Sequence, residues 1–240
     1  MTLRLLLTGA GGQTGSRVLA LAKADPGVEV AGRIGQEARA LPEAHALIDF
    51  SVPEQTARVA TACAGAGVPL VTGTTGLNED QQAAVAEAAR AVPVVQSGNF
   101  SVGVTVLSAL TRQAAALLDG FDVEVMETHH RRKRDAPSGT ALLLGEAAAE
   151  ARGTSLASAG VHGRSGRTER RTGAEIGFAV RRGGGVFGDH EVAFLAEEEV
   201  VTLGHRALSR DVFARGALHA ARWVQGRSPG HYGMTEVLGL

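Results

Sequence analysis

One cysteine, one tryptophan and one tyrosine are all that the 240 residues contain of those types, and aromatic side chains make up only 4% of the chain. The single thiol, Cys63, excludes an intrachain disulfide and a thiolate metal cluster. It lies in the apolar run Thr61-Ala62-Cys63-Ala64, where an inert buried thiol is the expected state. No apolar run approaches the roughly 18 residues that a membrane span requires. Surplus charge of one sign is also missing: 24 Lys and Arg face 25 Asp and Glu, a net charge of −1. A chain so balanced has no electrostatic pull toward nucleic acid or an anionic membrane. Met1-Thr2-Leu3-Arg4, with a glycine loop close behind, leaves no space for a signal peptide, and the expectation is a cytoplasmic protein.

What the chain has in quantity is glycine, 32 residues, and small apolar side chains. Its first hundred residues alternate strand and helix patterns. Leu3–Thr8 is an apolar strand, Ser16–Ala24 a helix ended by Pro26-Gly27, and Val28–Ile34 a second strand. Ala46–Phe50, Pro69–Thr72 and Val92–Gln96 continue the strands, with helices over Glu54–Gly65 and Asn78–Arg90. That alternation predicts an α/β fold, a Rossmann-like doubly wound parallel sheet. After Phe100 the pattern changes to a long helix over Val102–Leu118, a strand over Phe121–Glu127 and a helix over Pro137–Arg152. Strand-like segments follow near Ala174–Arg182, Phe187–Ala196 and Glu199–His205. This is an α+β block with a mixed sheet. The expected division is 1–100 for dinucleotide binding and 101–208 for substrate binding and oligomerisation. The amphipathic helix over Asp211–Gln225 brings 209–240 back to the first domain.

Two segments carry chemistry. Gly9-Ala10-Gly11-Gly12-Gln13-Thr14-Gly15 joins a strand to a helix with the spacing G-x-x-G-x-x-G. Such a loop lets backbone N–H groups approach a pyrophosphate at the positive end of the helix, although a plain tight turn has the same look. The acid that commonly closes on the adenine ribose is absent: the second strand ends Gly32-Arg33-Ile34-Gly35-Gln36, and Glu37 is the first acid after it. Arg33 or Arg39 is available to a 2′-phosphate, and each also reads as a plain surface charge. NADH and NADPH both remain open.

The second segment is Glu127-Thr128-His129-His130-Arg131-Arg132-Lys133-Arg134-Asp135-Ala136-Pro137-Ser138-Gly139-Thr140. A strand delivers two histidines whose side chains point to opposite sides. A cationic loop follows, and the N–H groups near Gly139 and Thr140 at a helix start form a carboxylate site. Taken singly, each piece has a bland counterpart in a solvated basic loop or an ordinary helix start. A metal site lacks a third ligand nearby, and a nucleic-acid patch lacks interleaved aromatics.

This segment resembles the E-x-H-H-x-x-K-x-D-A-P-S-G-T signature of the dihydrodipicolinate reductases, with every fixed position filled. The glycine loop, Ile48-Asp49-Phe50-Ser51, Gly73-Thr74-Thr75-Gly76, Ser97 to Val104, and Ile176-Gly177-Phe178 through Gly188-Asp189-His190-Glu191 are similar to the same family in the same order. The resemblance implies an NADH- or NADPH-dependent reduction of 4-hydroxy-tetrahydrodipicolinate, through dihydrodipicolinate, to tetrahydrodipicolinate on the route to lysine and diaminopimelate. It implies a homotetramer assembled through the second sheet. Gly9, Ala10, Gly11, Gly12, Gln13 and Thr14 would hold the pyrophosphate, with Arg33 on the adenosine side. Gly73, Thr74, Thr75, Ser97, Gly98, Asn99 and Phe100 would line the nicotinamide side. His130, Lys133, Ser138, Gly139 and Thr140 would bind substrate carboxylates, and His129 with Lys133 would transfer protons.

Two features depart from the family. The stretch before Ile48 is short, and Gly35 stands where the family's strand-end acid is expected. Two rivals are an amino-acid dehydrogenase of the aspartate dehydrogenase kind and a nucleotide sensor without catalysis. The first has no reason to carry Lys133 with Ser138-Gly139-Thr140, and the second would be expected to lose His129 or Lys133.

Overall fold

The computed structural model describes residues 2–35 and 41–240. The chain forms two compact units, one built from the residues up to Val102 together with Arg210–Leu240, the other from Gly103–Ser209. Gln36, Glu37 and Arg39, on which part of the adenosine-side expectation fell, lie outside the described residues.

The first unit opens with β1 (Leu3–Thr8), α1 (Gln13–Ala24), β2 (Val28–Arg33), β3 (Ala46–Asp49), α2 (Pro53–Ala66), β4 (Leu70–Thr72), α3 (Glu79–Ala88) and β5 (Pro93–Gln96). The second unit carries α4 (Val102–Leu117), β6 (Asp122–His129), α5 (Gly139–Ala151), α6 (Leu156–Ala159), β7 (Gly160–Val161), β8 (Ile176–Arg182), β9 (Asp189–Leu195) and β10 (Val200–Arg206). The chain then returns to the first unit with α7 (Asp211–Trp223), β11 (Gly230–Tyr232) and α8 (Met234–Leu238).

The first sheet has the order β11-β5-β4-β3-β1-β2, and its pairs are parallel throughout. Because both faces of a parallel sheet are covered, its central strands carry continuous apolar runs: Leu5, Leu6 and Leu7 are all buried. Alternate residues serve opposite layers. Leu5, Leu7, Ile48 and Val71 pack with Val18 of α1 and Ala217 of α7. Leu6, Leu47 and Leu70 pack with Val59 of α2 and Val85 of α3. This is the doubly wound, Rossmann-like arrangement that the alternation predicts. Two bidentate or short ion pairs fasten the returning helix: Arg17 Nε and Nη2 donate to Asp211 at 2.6 and 2.9 Å, and Arg222 Nη2 donates to Asp25 at 2.5 Å.

The second sheet, β10-β9-β6-β8-β7, is mixed: β6 runs parallel to β8 and antiparallel to β9. Its strands alternate. Val123, Val125, Ile176, Val192 and Phe194 face a core closed by Leu107 and Ala115 of α4 and by Ala141, Leu144 and Ala148 of α5. On the other face of β10, Val200, Thr202, Gly204 and Arg206 are exposed.

Several element bounds differ from the sequence expectation. Helix α1 begins at Gln13 rather than Ser16, because Gly12 takes the extended cap conformation and its carbonyl accepts Ser16 N–H at 3.0 Å. Helix α5 begins at Gly139 rather than Pro137, since the Ser138 hydroxyl caps it by accepting Ala141 N–H. Strand β6 runs two residues beyond Glu127, so His129 belongs to the sheet itself.

Candidate functional site

In the first unit the glycine loop leaves β1 and enters α1. Gly9 has φ +67°, and a Cβ there would stand 2.0 Å from the Phe50 carbonyl oxygen. Gly15 lies on the first turns of α1, where a Cβ would come within 2.1 Å of the Gly9 carbonyl oxygen. These two glycines let loop, helix and neighbouring strand approach one another. Gly11 has open space where a Cβ would stand, and it is exposed. No side chain caps the α1 N-terminus, and its first turn, with Gln13 and Thr14, holds no acid. Such an end keeps its N–H groups and positive dipole available to an anion. Arg33 is exposed at the end of β2.

Beneath this loop lies a fully buried acid, Asp49, at the end of β3. The hydroxyls of Thr8, Ser51, Thr56, Thr72 and Thr74 all donate to it, so the carboxyl-terminal ends of β1, β3 and β4 are tied to one group. Thr74 is thereby buried and occupied, while Thr75 beside it is exposed. The Gly73 N–H donates to the Asp49 carbonyl at 2.9 Å. After β5, Ser97 Oγ donates to the Asn99 carbonyl at 2.7 Å and Asn99 Oδ1 accepts Ser101 N–H at 2.8 Å, shaping the turn that holds Gly98. Phe100, expected on the nicotinamide side, closes this stretch. Its side chain is a core residue, 1% exposed and edge-to-face with Phe50 at 5.7 Å. Any contact it makes with a ligand falls to its backbone.

In the second unit, β6 ends in Glu127 and His129, two residues apart and on the same face. Both are buried, at 1% and 8% exposed. His129 Nδ1 is 2.6 Å from Glu127 Oε2. Arg182, at the end of β8, donates Nη1 to Oε2 at 2.6 Å and Nη2 to Oε1 at 2.8 Å. The Ser138 N–H donates to Oε1 at 3.0 Å. Burial by itself would raise the Glu127 carboxyl, but Arg182, His129 and Ser138 N–H together outweigh it and hold it below its ordinary range. Glu127 is therefore a carboxylate, which only accepts hydrogen bonds, so His129 carries its proton on Nδ1 and presents Nε2.

His129 Nε2 faces Gly188, where a Cβ would come within 3.0 Å of it. His190 of β9 lies edge-to-face with His129 at 5.0 Å, and its Nε2 is 3.1 Å from Ser138 Oγ. Burial, followed by the His129 ring, pushes His190 down to about 4. Burial also lowers His129. The Glu127 carboxylate works against that, and Lys133 and Arg182 add to the lowering. The free site thus holds a neutral His129 at neutral pH, below the near-neutral value that such a donor ordinarily has.

The loop after β6 lies against the glycine turn 183–185. His130 N–H donates to the Val186 carbonyl at 2.8 Å, and Gly183 N–H donates to the His129 carbonyl at 3.0 Å. Half-buried Lys133 pairs with Asp135 at 2.7 Å. Ser138 is buried, Gly139 is exposed and Thr140 is half-buried at the α5 N-terminus. The predicted His129, Ser138 and the α5 start are thus joined through one carboxylate. His130 and Lys133 stand on the loop between them.

Sequence reasoning assigned no site role to Glu127, Arg182, Gly188 or His190, although Glu127 opens the signature and Gly188 and His190 stand in a family-like stretch. Glu127 was legible, since strand alternation puts it on the face of His129. The other three come from β8, β9 and the turn before it, which only sheet pairing brings alongside β6.

Comparison with known proteins covers both units. Residues 3–100 match the family described as dihydrodipicolinate reductase, N-terminus, and residues 103–238 match dihydrodipicolinate reductase, C-terminus. A 4-hydroxy-tetrahydrodipicolinate reductase of Anaeromyxobacter dehalogenans (strain 2CP-C) is 47% identical over 264 aligned positions, covering 99% of this chain and 98% of its own. One from Thiobacillus denitrificans (strain ATCC 25259 / T1) is 45% identical, with both chains covered in full. A solved structure, a dipicolinate-bound dihydrodipicolinate reductase from Paenisporosarcina sp. TG-14, shares the fold at a TM-score of 0.79 and 21% identity, over 98% of this chain and 99% of that one. The N-terminal domain of this family is a nucleotide-binding Rossmann domain, which makes the cofactor a pyridine nucleotide. With both family halves matched and near-half identity over the full length, the chain belongs to the dihydrodipicolinate reductase family.

Proposed function

We propose that this protein reduces 4-hydroxy-tetrahydrodipicolinate, through dihydrodipicolinate, to tetrahydrodipicolinate in lysine and diaminopimelate biosynthesis, with NADH or NADPH as reductant. The observation that carries the reading is the Glu127 cluster. One buried carboxylate holds a histidine and the amide start of a helix, with a lysine loop between them in sequence. An acid–base group beside an anion site suits a dicarboxylate that must gain a proton.

The first unit is the cofactor domain and the second the substrate and oligomerisation domain. The loop Gly9 to Thr14 fits a pyrophosphate: a Cβ at Gly9 would strike Phe50, Gly11 is open, and the α1 N-terminus has no side-chain cap. Gly73, Thr74, Thr75 and the turn Ser97 to Phe100 line the nicotinamide side, the last through its backbone, and Arg33 serves the adenosine side. A bound reduced nicotinamide supplies hydride to C4 of the unsaturated ring. Lys133, His130, Ser138, Gly139 and Thr140 bind the two carboxylates. Their positive charge and N–H dipoles offset the anionic character that makes such a ring a poor hydride acceptor.

Hydride addition leaves an enamine, which His129 protonates from Nε2, with Lys133 contributing to the proton transfer. The substrate's carboxylates add negative charge beside His129 and raise its proton affinity on binding, countering the lowering seen in the free site. A cytoplasmic setting suits this chemistry. The open face of the second sheet, with Arg181, Glu191 and Arg206 around a cleft of about 340 Å³, supports a homotetramer assembled through it.

The test is a steady-state assay with the condensation product of pyruvate and aspartate semialdehyde, following cofactor absorbance with NADH and NADPH side by side. Turnover is the expected result, and the ratio of the two kcat/KM values assigns the cofactor. Folded protein inactive with both would remove the reading.

A further inference from the structure

The second unit contains a feature that the proton-transfer reading does not use. Arg182 binds more than Glu127: its Nη2 also donates to the Asp135 carbonyl at 2.6 Å, in the loop that carries Lys133. Glu127 likewise reaches beyond His129 to the N–H of Ser138, the cap of α5. Three elements that bear the proposed site, the end of β6, the Lys133 loop and the start of α5, therefore share one ion pair, a buried Glu127 with a half-buried Arg182.

We propose that Glu127 and Arg182 are positioning residues: Glu127 fixes the Nδ1–H tautomer of His129 and the start of α5, and Arg182 holds that carboxylate and the Lys133 loop in one frame. The proposal rests on His129 being the proton donor. The geometry gives it direction. The Glu127 carboxylate accepts from Nδ1, so only Nε2 is left to exchange a proton, on the side that Gly188 leaves free of a Cβ. The other groups facing His129 are Lys133, itself paired with Asp135, Arg182, and the buried ring of His190. Glu127 is the acid among them in direct contact with the ring, and it opposes every other influence on the ring's proton affinity.

The two residues then have opposite signatures. A proton donor works only while protonated, so activity is lost as pH rises through its pKa. Glu127→Gln removes the negative charge and offers an amide N–H to Nδ1, favouring the wrong tautomer. The descending limb of kcat against pH should move down by about one to three units, the size expected for a charge in contact. The value of kcat at pH 7 should fall by up to about 10²–10⁴-fold, the whole contribution of a general acid. Arg182→Met removes a neighbouring cation, so the same limb should move up, while KM rises because the Lys133 loop has lost its anchor.

A merely structural role would lower kcat in both variants without moving either limb in opposite directions. Unshifted limbs in two folded, active variants would overturn the proposal while wild-type turnover left the reductase reading intact. The ¹⁵N spectrum of the wild-type imidazoles provides a check independent of both variants and of turnover. The signals that vanish in His129→Gln should show neutral His129 protonated at Nδ1 and bare at Nε2. The reverse tautomer would overturn the proposal, even in a protein with no reductase activity.

Discussion

Replacing Gly9 by alanine asks whether the glycine loop is shaped for a ligand or is only a tight turn. At φ +67° an alanine pays the left-handed penalty of about 1–2 kcal/mol. Its Cβ would also stand 2.0 Å from the Phe50 carbonyl oxygen, so loop and strand must separate by more than an ångström to reach ordinary contact. Overpacking of that kind adds about 1–3 kcal/mol. The sum of about 2–5 kcal/mol corresponds to a fall in Tm of roughly 4–20 °C for a chain of this size. The same displacement moves the α1 N-terminus away from a pyrophosphate, and misplacement by about 1 Å costs on the order of 10²-fold in rate. The expected result is a large loss of kcat/KM for the cofactor with KM for the imine dicarboxylate unchanged. Gly11→Ala is the internal control. Its Cβ meets nothing within 4 Å and its φ is not left-handed, so its stability should stay within about 0.5 kcal/mol of wild type. Any rise in its cofactor KM then reports contact with the ligand alone. If Gly9→Ala and Gly11→Ala unfold at the same temperature, the steric reasoning is wrong. If Gly9→Ala loses stability but keeps its cofactor KM, the loop is structural and the pyrophosphate lies elsewhere.

His129→Gln is expected to cut kcat by about 10²–10⁴-fold, the loss of a general acid, with little change in KM; near-normal kcat in steady-state assays would remove His129 from the chemistry. Lys133→Ala should raise KM and lower kcat together, since the lysine both anchors and helps protonate the substrate; an unchanged KM would show that it does not touch substrate. His190, pushed by burial to about 4, resists protonation in the folded state, whereas the unfolded chain takes a proton near 6.5. Stability is therefore full above pH 6.5 and declines as pH falls toward 4. The whole loss is about 3 kcal/mol, and urea titrations at a series of pH values should show its slope reduced in His190→Gln.

The parallel sheet was legible because its central strands are buried on both faces and its strands are separated by helical stretches. The elements that sequence did not reveal are short: α6, β7, β11 and α8 have two to five residues each. Gly230-His231-Tyr232 has no strand pattern of its own and becomes β11 because β5 offers it a parallel edge. In the site, the segment from Glu127 to Thr140 could be read in advance because its parts are neighbours in sequence. Arg182 and His190 could not, since they reach Glu127 and Ser138 only through the pairing of β8 and β9 with β6. Phe100 shows a related limit: a motif marks a position without saying whether side chain or backbone serves, and this side chain belongs to the core.

Asp49 and Glu127, the buried acids among the described residues, are held in different ways, and the difference fits their surroundings. Asp49 receives uncharged donors, five hydroxyls from β1, α2, β4 and the adjoining loops and the Ser51 N–H at 3.1 Å. Uncharged donors satisfy an acid without bringing a cation beneath the glycine loop. They also tie the carboxyl-terminal ends of three strands to one group, which stiffens the sheet edge from which the glycine loop leaves. Glu127 instead receives a guanidinium, an imidazole and a helix-start amide. A cation there compensates the buried charge, and the imidazole is the one partner whose proton count can change near neutral pH. Exchanging the two environments would serve neither end: hydroxyls around Glu127 would leave His129 without an oriented tautomer, and an arginine beside Asp49 would put fixed positive charge under the sheet rather than at the ligand. The chemistry of each acid's partners thus separates an uncharged, hydrogen-bonded scaffold in the first unit from a charged cluster with a titratable ring in the second.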